Sequence, residues 1–132
     1  MNIERIDKKI NTQERLQIID ITAQIEEILN SKVIEKGFVS LWIPHTTASI
    51  TINENDLGLW RDLLGKFKNL VPLEGEYEHK ANAHAHILGS IIKPVVHIPV
   101  FDGRMVLGTW QRILFIELDG PRERSVIVTI SS

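Results

Sequence analysis

Cysteine is absent from this 132-residue chain, which removes disulfides, thiolate zinc sites and cysteine nucleophiles together. Any metal would have to be held by histidine and carboxylates. A charge excess of either sign is also missing: 15 Lys and Arg face 17 Asp and Glu, and no long run of one sign occurs, so neither nucleic acid nor an anionic membrane surface is an expected partner. No uninterrupted run of eighteen apolar residues exists, and Met1 to Arg5 lack the apolar core of a signal peptide, which makes a cytoplasmic protein the expectation. Repeats, linkers and low-complexity tracts are lacking too. What remains suits one domain over residues 1–132 with one core.

Periodicity divides the chain into short elements. Residues 2 to 9 and 14 to 20 read as an N-terminal hairpin turning near Asn11-Thr12-Gln13. From Thr22 the apolar residues Ile21, Ile25, Ile28 and Leu29 recur on one helical face, and Gly37 reads as its left-handed C-cap. Phe38 to Ile43 is a buried strand, and the alternation from His45 to Asn53 a second strand with a polar side. Asp56 caps a helix through Phe67, and Asn82 caps another from Ala83 to about Ile92, before Pro94. Pro94 to Val100, the turn Asp102-Gly103, a long return strand from Met105 to Asp119, and Ser125 to Ile130 complete a β-rich C-terminal third. The order ββαββααβββ, with about three helices and mixed or antiparallel sheets, predicts an α+β fold.

The chemistry-bearing residues fall in three places. Pro44 to Asn55 packs an imidazole, hydroxyls, amides and a carboxylate into an otherwise apolar stretch, and buried polarity of that density needs a hydrogen-bond network or a ligand. Three of the five histidines, His79, His84 and His86, crowd one short segment. On a helix begun at Asn82, His84 and His86 point to different sides, so only one of them can serve a given site. Gly108-Thr109-Trp110-Gln111 puts a glycine inside the expected return strand, the mark of a bulge or of close approach by a ligand. Glu54 is a candidate acid/base, Ser49 or Thr47 a phosphate contact, and Arg122 a clamp for an anion, with Arg124 the more readily explained as a solvated turn charge. No nucleophile-elbow, P-loop or H-E-x-x-H pattern is present.

The segments PHTTASITINEN, YEHKANAHAHILGS, IPVFDGRMVLGTWQ and ELDGPRERSV resemble, in order from about Ile19 to the C-terminus, the signature segments of the YjbQ-like family, often labelled secondary thiamine-phosphate synthase. The resemblance implies a homotrimer with sites at or near subunit boundaries. It singles out His45, His79 and His86 as the polar signature, hence as candidate ligands of a divalent ion, zinc first. It matches Asn53, Glu54, Gly108, Thr109 and Gln111 to the family's Asn-Glu and G-T-W-Q strings. The chain departs from the pattern at His84, where many relatives are acidic, and is shorter than some members between the Y-x-H and A-H segments. The expected function is a small metal-dependent enzyme acting on a phosphorylated or anionic small molecule, with Glu54 and Ser49 catalytic and Asn53, Asn82, Thr109, Gln111 and Arg122 contacting substrate. Joining a pyrimidine pyrophosphate to a thiazole phosphate would be a low activity, because a dedicated (β/α)8 synthase needs about 200 residues or more. The alternatives are a non-catalytic trimer binding a metabolite or anion, and a purely structural trimer interface.

Overall fold

Side-chain parity lays out the architecture in the computed structural model, which describes all residues from Met1 to Ser132. In β3 (Lys36–Trp42), β5 (Val95–Phe101) and β8 (Glu123–Ser131), alternate residues such as Val39, Leu41, Ile98, Val100, Val126, Val128 and Ile130 are buried, as strands with one covered face require. β3 pairs antiparallel with both β5 and β8. β1 (Ile3–Asn11) adds beside β8, and the two-residue β6 (Arg104–Met105) beside β5, giving the order β1-β8-β3-β5-β6.

β7 (Arg112–Glu117) behaves differently, because it is buried on both faces. It is the centre of a second antiparallel sheet, between β2 (Gln17–Asp20) and β4 (Ala48–Asn53). Ile113 and Phe115 join the core shared with the five-stranded sheet and α1 (Thr22–Asn30), while Leu114 and Ile116 join a second core under α2 (Leu57–Leu70) and α3 (Ala83–Ile92). The layers are therefore sheet, sheet and helices, with β7 filling both interfaces. Truncating Phe115, which is fully buried, to alanine would cost about 3–5 kcal/mol. No helix is long and apolar enough to cross a membrane.

The α+β class, three helices and antiparallel pairing match the sequence reading, and α3 spans the residues expected. Asp56 does cap α2, its carboxylate accepting from the Leu59 N–H at 2.8 Å. Four local expectations are corrected. The N-terminal hairpin does not form: β1 pairs with β8 and β2 with β7, because the chain crosses between sheets at Thr12, whose N–H donates to the Arg122 carbonyl at 3.0 Å. The return strand from Met105 to Asp119 is two strands in two sheets, making the order ββαββααββββ. Its expected bulge at Gly108 to Gln111 is the crossing loop, closed by Gln111 Oε1 accepting from the Gly108 N–H at 2.8 Å. Gly37 lies inside β3 rather than capping α1, which ends at Asn30. A Cβ on Gly37 would stand 1.9 Å from the Ser131 carbonyl oxygen, so close pairing with β8, not a helix end, demands the glycine.

Candidate functional site

The connection from β3 to β4 crosses from one sheet to the other, and with the end of α3 it walls an open pocket of about 580 Å³. His45, Thr46, His86, Ser90 and Lys93 supply its polar lining, and no carboxylate lines it. Two local devices hold the walls together. The Ile43 N–H donates to the Pro94 carbonyl at 2.8 Å. Gly89 on α3 lies so near the β3–β4 connection that a Cβ there would come 2.9 Å from the Thr46 carbonyl oxygen, so glycine permits the approach. Lys93 ends α3 with φ 88° and ψ 155°, a region open to glycine and strained for any other residue by about 1–3 kcal/mol.

Behind His45 lies a sealed ion pair. Glu117 is the last residue of β7 and Arg124 stands near the start of β8, both on the inward parity, with 0% and 2% of each residue exposed. Arg124 donates to both Glu117 oxygens and, through its other contacts, to the Thr47 carbonyl at 3.0 Å and hydroxyl at 2.9 Å. Thr12 donates its hydroxyl to Glu117 at 2.7 Å. Burial opposes ionisation of Glu117, but Arg124, the Asp119 N–H and Thr12 outweigh it and hold the carboxyl below its usual range. The next residue along β8, Ser125, donates its N–H to His45 Nε2 at 3.0 Å. Burial first, then the charge of Arg124, pushes the His45 pKa down.

A second chain of bonds runs from the crossing at Gly120 to α3. Arg122 donates to the Asp119 carboxylate at 3.2 Å, Asn82 donates its amide N–H to the same oxygen at 2.7 Å, and Asn82 Oδ1 faces His79 Nε2 at 3.0 Å. Asn82 thus precedes α3 without capping it by its side chain. The His79 and His86 rings meet edge to face, centroids 4.7 Å apart. His84 points the other way, as its spacing from His86 predicts: it is fully buried, and burial first, then the Arg15 charge, lowers its pKa. Neither of its ring nitrogens makes a hydrogen bond of good geometry, although the Leu118 carbonyl lies close enough to favour its protonated form.

The remaining candidates stand elsewhere. Ser49 is buried, its hydroxyl directed at the Gly89 carbonyl at 3.5 Å. Asn53 ends β4 and Glu54 follows it, roughly 17 Å from Ala48 at ~3.3 Å per residue. There Asp20 accepts from Thr22, Asn55 and Arg112, which together outweigh burial and keep its pKa low. The Asn53 side chain accepts from the Glu54 N–H at 2.8 Å. Thr109 and Gln111 sit in the loop entering β7 at that same end. Within one chain, then, the predicted site residues form two groups at opposite ends of the three-stranded sheet, and no three His, Asp or Glu side chains are close enough to hold a metal ion together. Arg124, read as a solvated charge, is instead buried, and Arg122 is the exposed one. Lys93, Ser90 and Glu117 were not singled out from sequence. The parity of Arg124 with Val126 and Val128 was the available signal for the ion pair.

The family model for UPF0047 protein YjbQ-like matches residues 7–132. A UPF0047 protein of Archaeoglobus fulgidus is 44% identical over 122 residues, covering 90% of this chain and 94% of that one. UPF0047 protein YugU of Bacillus subtilis is 41% identical over 123 residues, covering 91% and 93%. Among solved structures, a hypothetical protein of Aeropyrum pernix superposes with a TM-score of 0.95 at 39% identity over 98% of both chains. A YbjQ-like protein of unknown function from Sulfolobus solfataricus superposes at 0.94 and 35% identity, over 98% and 96%. With matches of this length and identity, the chain belongs to the YjbQ-like UPF0047 family.

Proposed function

We propose that the protein acts on a phosphorylated or otherwise anionic small molecule in the pocket between the β3–β4 connection and α3. The observation that carries this reading is the pocket's lining: two imidazoles, the Thr46 hydroxyl and a lysine with no carboxylate among them, a donor-rich set of the kind an anionic oxygen needs, while the Ser90 hydroxyl already donates to the His86 carbonyl at 2.9 Å. Lys93 adds weight, because a strained backbone in a pocket wall is the kind of outlier that function maintains. The working form is a homotrimer in which the end of a neighbouring chain bearing Asn53 and Gln111 completes the pocket, with Glu54 of that end at its margin as the acid/base rather than as a contact to the anion. Exposed Trp42 beside the pocket and Trp110 in the loop at the other end supply apolar surface for such a contact.

Binding of inorganic pyrophosphate and of thiazole phosphate, measured by calorimetry, tests the reading, and sedimentation tests the assembly. Both ligands should bind the wild type and bind His86→Ala at least tenfold more weakly, given about 1.5–3 kcal/mol for a hydrogen bond to a charged group. Equal binding to the variant would sink the proposal. Formation of thiamine phosphate from a pyrimidine pyrophosphate and thiazole phosphate, with release of inorganic pyrophosphate, separates an enzyme from a binding protein. A second reading, a divalent ion such as zinc at this site, draws on one observation. Asn82 accepts at His79 Nε2, the second-sphere contact that leaves a histidine's other nitrogen free as a ligand. Elemental analysis of the wild type and of His79→Ala decides it.

A further inference from the structure

The two bonded imidazoles of this site are fixed in opposite senses. Asn82 donates its amide N–H to Asp119, so its Oδ1 is the acceptor for His79, and His79 Nε2 carries the proton. In neutral His79 the lone pair is therefore on Nδ1. His45 is the reverse case. A backbone N–H can only donate, and Ser125 donates its own to His45 Nε2 at 3.0 Å. The lone pair of His45 is thus occupied at Nε2, and in the neutral ring the proton sits on Nδ1. Turning the ring over does not change this, because the exchange would present a carbon to the Ser125 N–H.

We propose that His45 serves the bound anion as a neutral hydrogen-bond donor through Nδ1–H, and that it is neither a metal ligand nor a general base. A metal at Nε2 would displace the Ser125 N–H and leave it unpaired. A metal at Nδ1 would require an imidazolate. Ser125 has little freedom to move aside, since it pairs with Lys9 across β1 and follows Arg124, which Glu117 and Thr47 anchor from the interior. The ligand implied presents an acceptor-only oxygen, as phosphoryl and carboxylate groups do. This deepens the anion-site reading and rests on it for the identity of the acceptor; the tautomer itself does not.

Long-range 1H–15N correlation of the histidine rings in the labelled full chain tests the tautomer directly, with His45 assigned by its disappearance in His45→Asn. The expected spectrum shows a protonated Nδ1 and an unprotonated Nε2 at neutral pH. Inorganic pyrophosphate and zinc are then titrated separately into the wild type and into His45→Asn, His45→Gln and His45→Ala. An asparagine amide keeps an N–H where Nδ1 stood, so pyrophosphate affinity should stay within about threefold of wild type, whereas Gln and Ala should lose about tenfold or more. Zinc affinity should be unchanged in all three. An Nε2-protonated or doubly protonated ring, or a loss of zinc affinity on replacing His45, overturns the inference while leaving the anion site standing. Wild-type protein that shows the Nδ1–H tautomer but does not bind pyrophosphate removes the anion site and upholds the donor state of His45.

Discussion

A carboxylate and a guanidinium meet at each end of the three-stranded sheet, and the two pairs differ in nearly everything but their chemistry. At one end Glu117 and Arg124 are sealed between the sheets, with 0% and 2% of their side chains exposed. At the other, Arg112 leaves 39% of its side chain in solvent as it reaches Asp20. The sealed pair holds Thr47 and positions the strand that anchors His45; the open pair ties the start of α1 to Asn55 and the entry of β7. One end is sealed behind a pocket, and the other keeps its carboxylate nearly buried while its guanidinium stays in solvent. Burial, rather than the identity of the partners, sets that difference, because a charge removed from water must be fully paired while an exposed one has solvent to fall back on.

The largest effect should come from stranding the sealed carboxylate. Arg124→Met is expected to destabilise the chain by about 3–5 kcal/mol in urea unfolding, since Glu117 would be left charged and buried. Arg112→Ala should cost less, about 1–2 kcal/mol by the same measurement, because Asp20, only 9% exposed, keeps its bonds from Thr22 and Asn55. Replacing both members of the sealed pair, Glu117→Leu with Arg124→Met, should recover much of the loss, as apolar substitutes of similar volume often do. Equal costs for the two single variants would erase the distinction between the ends.

Acid should separate the ends more gently. Glu117 and Asp20 are both held below their ordinary pKa values in the folded chain, so the unfolded chain binds more protons as the solution is acidified. The stability they contribute is complete above their unfolded values of about 4 and is lost as pH falls through the lower folded values. Unfolding midpoints taken from pH 7 down to pH 3 should therefore decline at the acid limit. Glu117→Gln should flatten that decline more than Asp20→Asn, because the buried carboxylate depends more completely on its partners.

How much of this was readable beforehand follows the same division between regular and crossing segments. The strands of the five-stranded sheet, α1 and α2 have the periods that one covered face imposes, α3 was bounded by Asn82 and Pro94 rather than by a period, and Asp102-Gly103 marks the β5–β6 turn with positive φ at both residues. The crossings were opaque. Thr12 and the Val106 to Gln111 loop carry the chain between sheets, and nothing in a two-residue alternation says which sheet a strand joins. Glu117 was hidden for a related reason: Arg112 to Glu117 is buried on both faces, so its run lacks the polar alternation that would have exposed one charged residue as inward. Of the site, the separation of His84 from His86 followed from helix geometry alone, whereas the distance between His45 and Glu54 depended on the length and direction of β4.

The smallest effect on stability should carry the sharpest contrast between the ends. Among non-glycine residues only Lys93 and Asp102 have positive φ. Asp102 belongs to a hairpin turn that favours that geometry, but Lys93 has no such excuse, standing before Pro94 with its carbonyl accepting from the Ile50 N–H at 3.3 Å. Lys93→Gly should therefore relieve strain and, after the greater freedom of glycine in the unfolded chain is subtracted, stabilise the protein by about 1 kcal/mol. The same substitution removes the lysine charge from the pocket, so pyrophosphate affinity should fall as stability rises. Opposite movement of the two quantities would mark the pocket end as the one where stability is given up for binding. A variant that gains stability and binds as before would mean that the strained lysine belongs to the framework and that the ligand lies elsewhere.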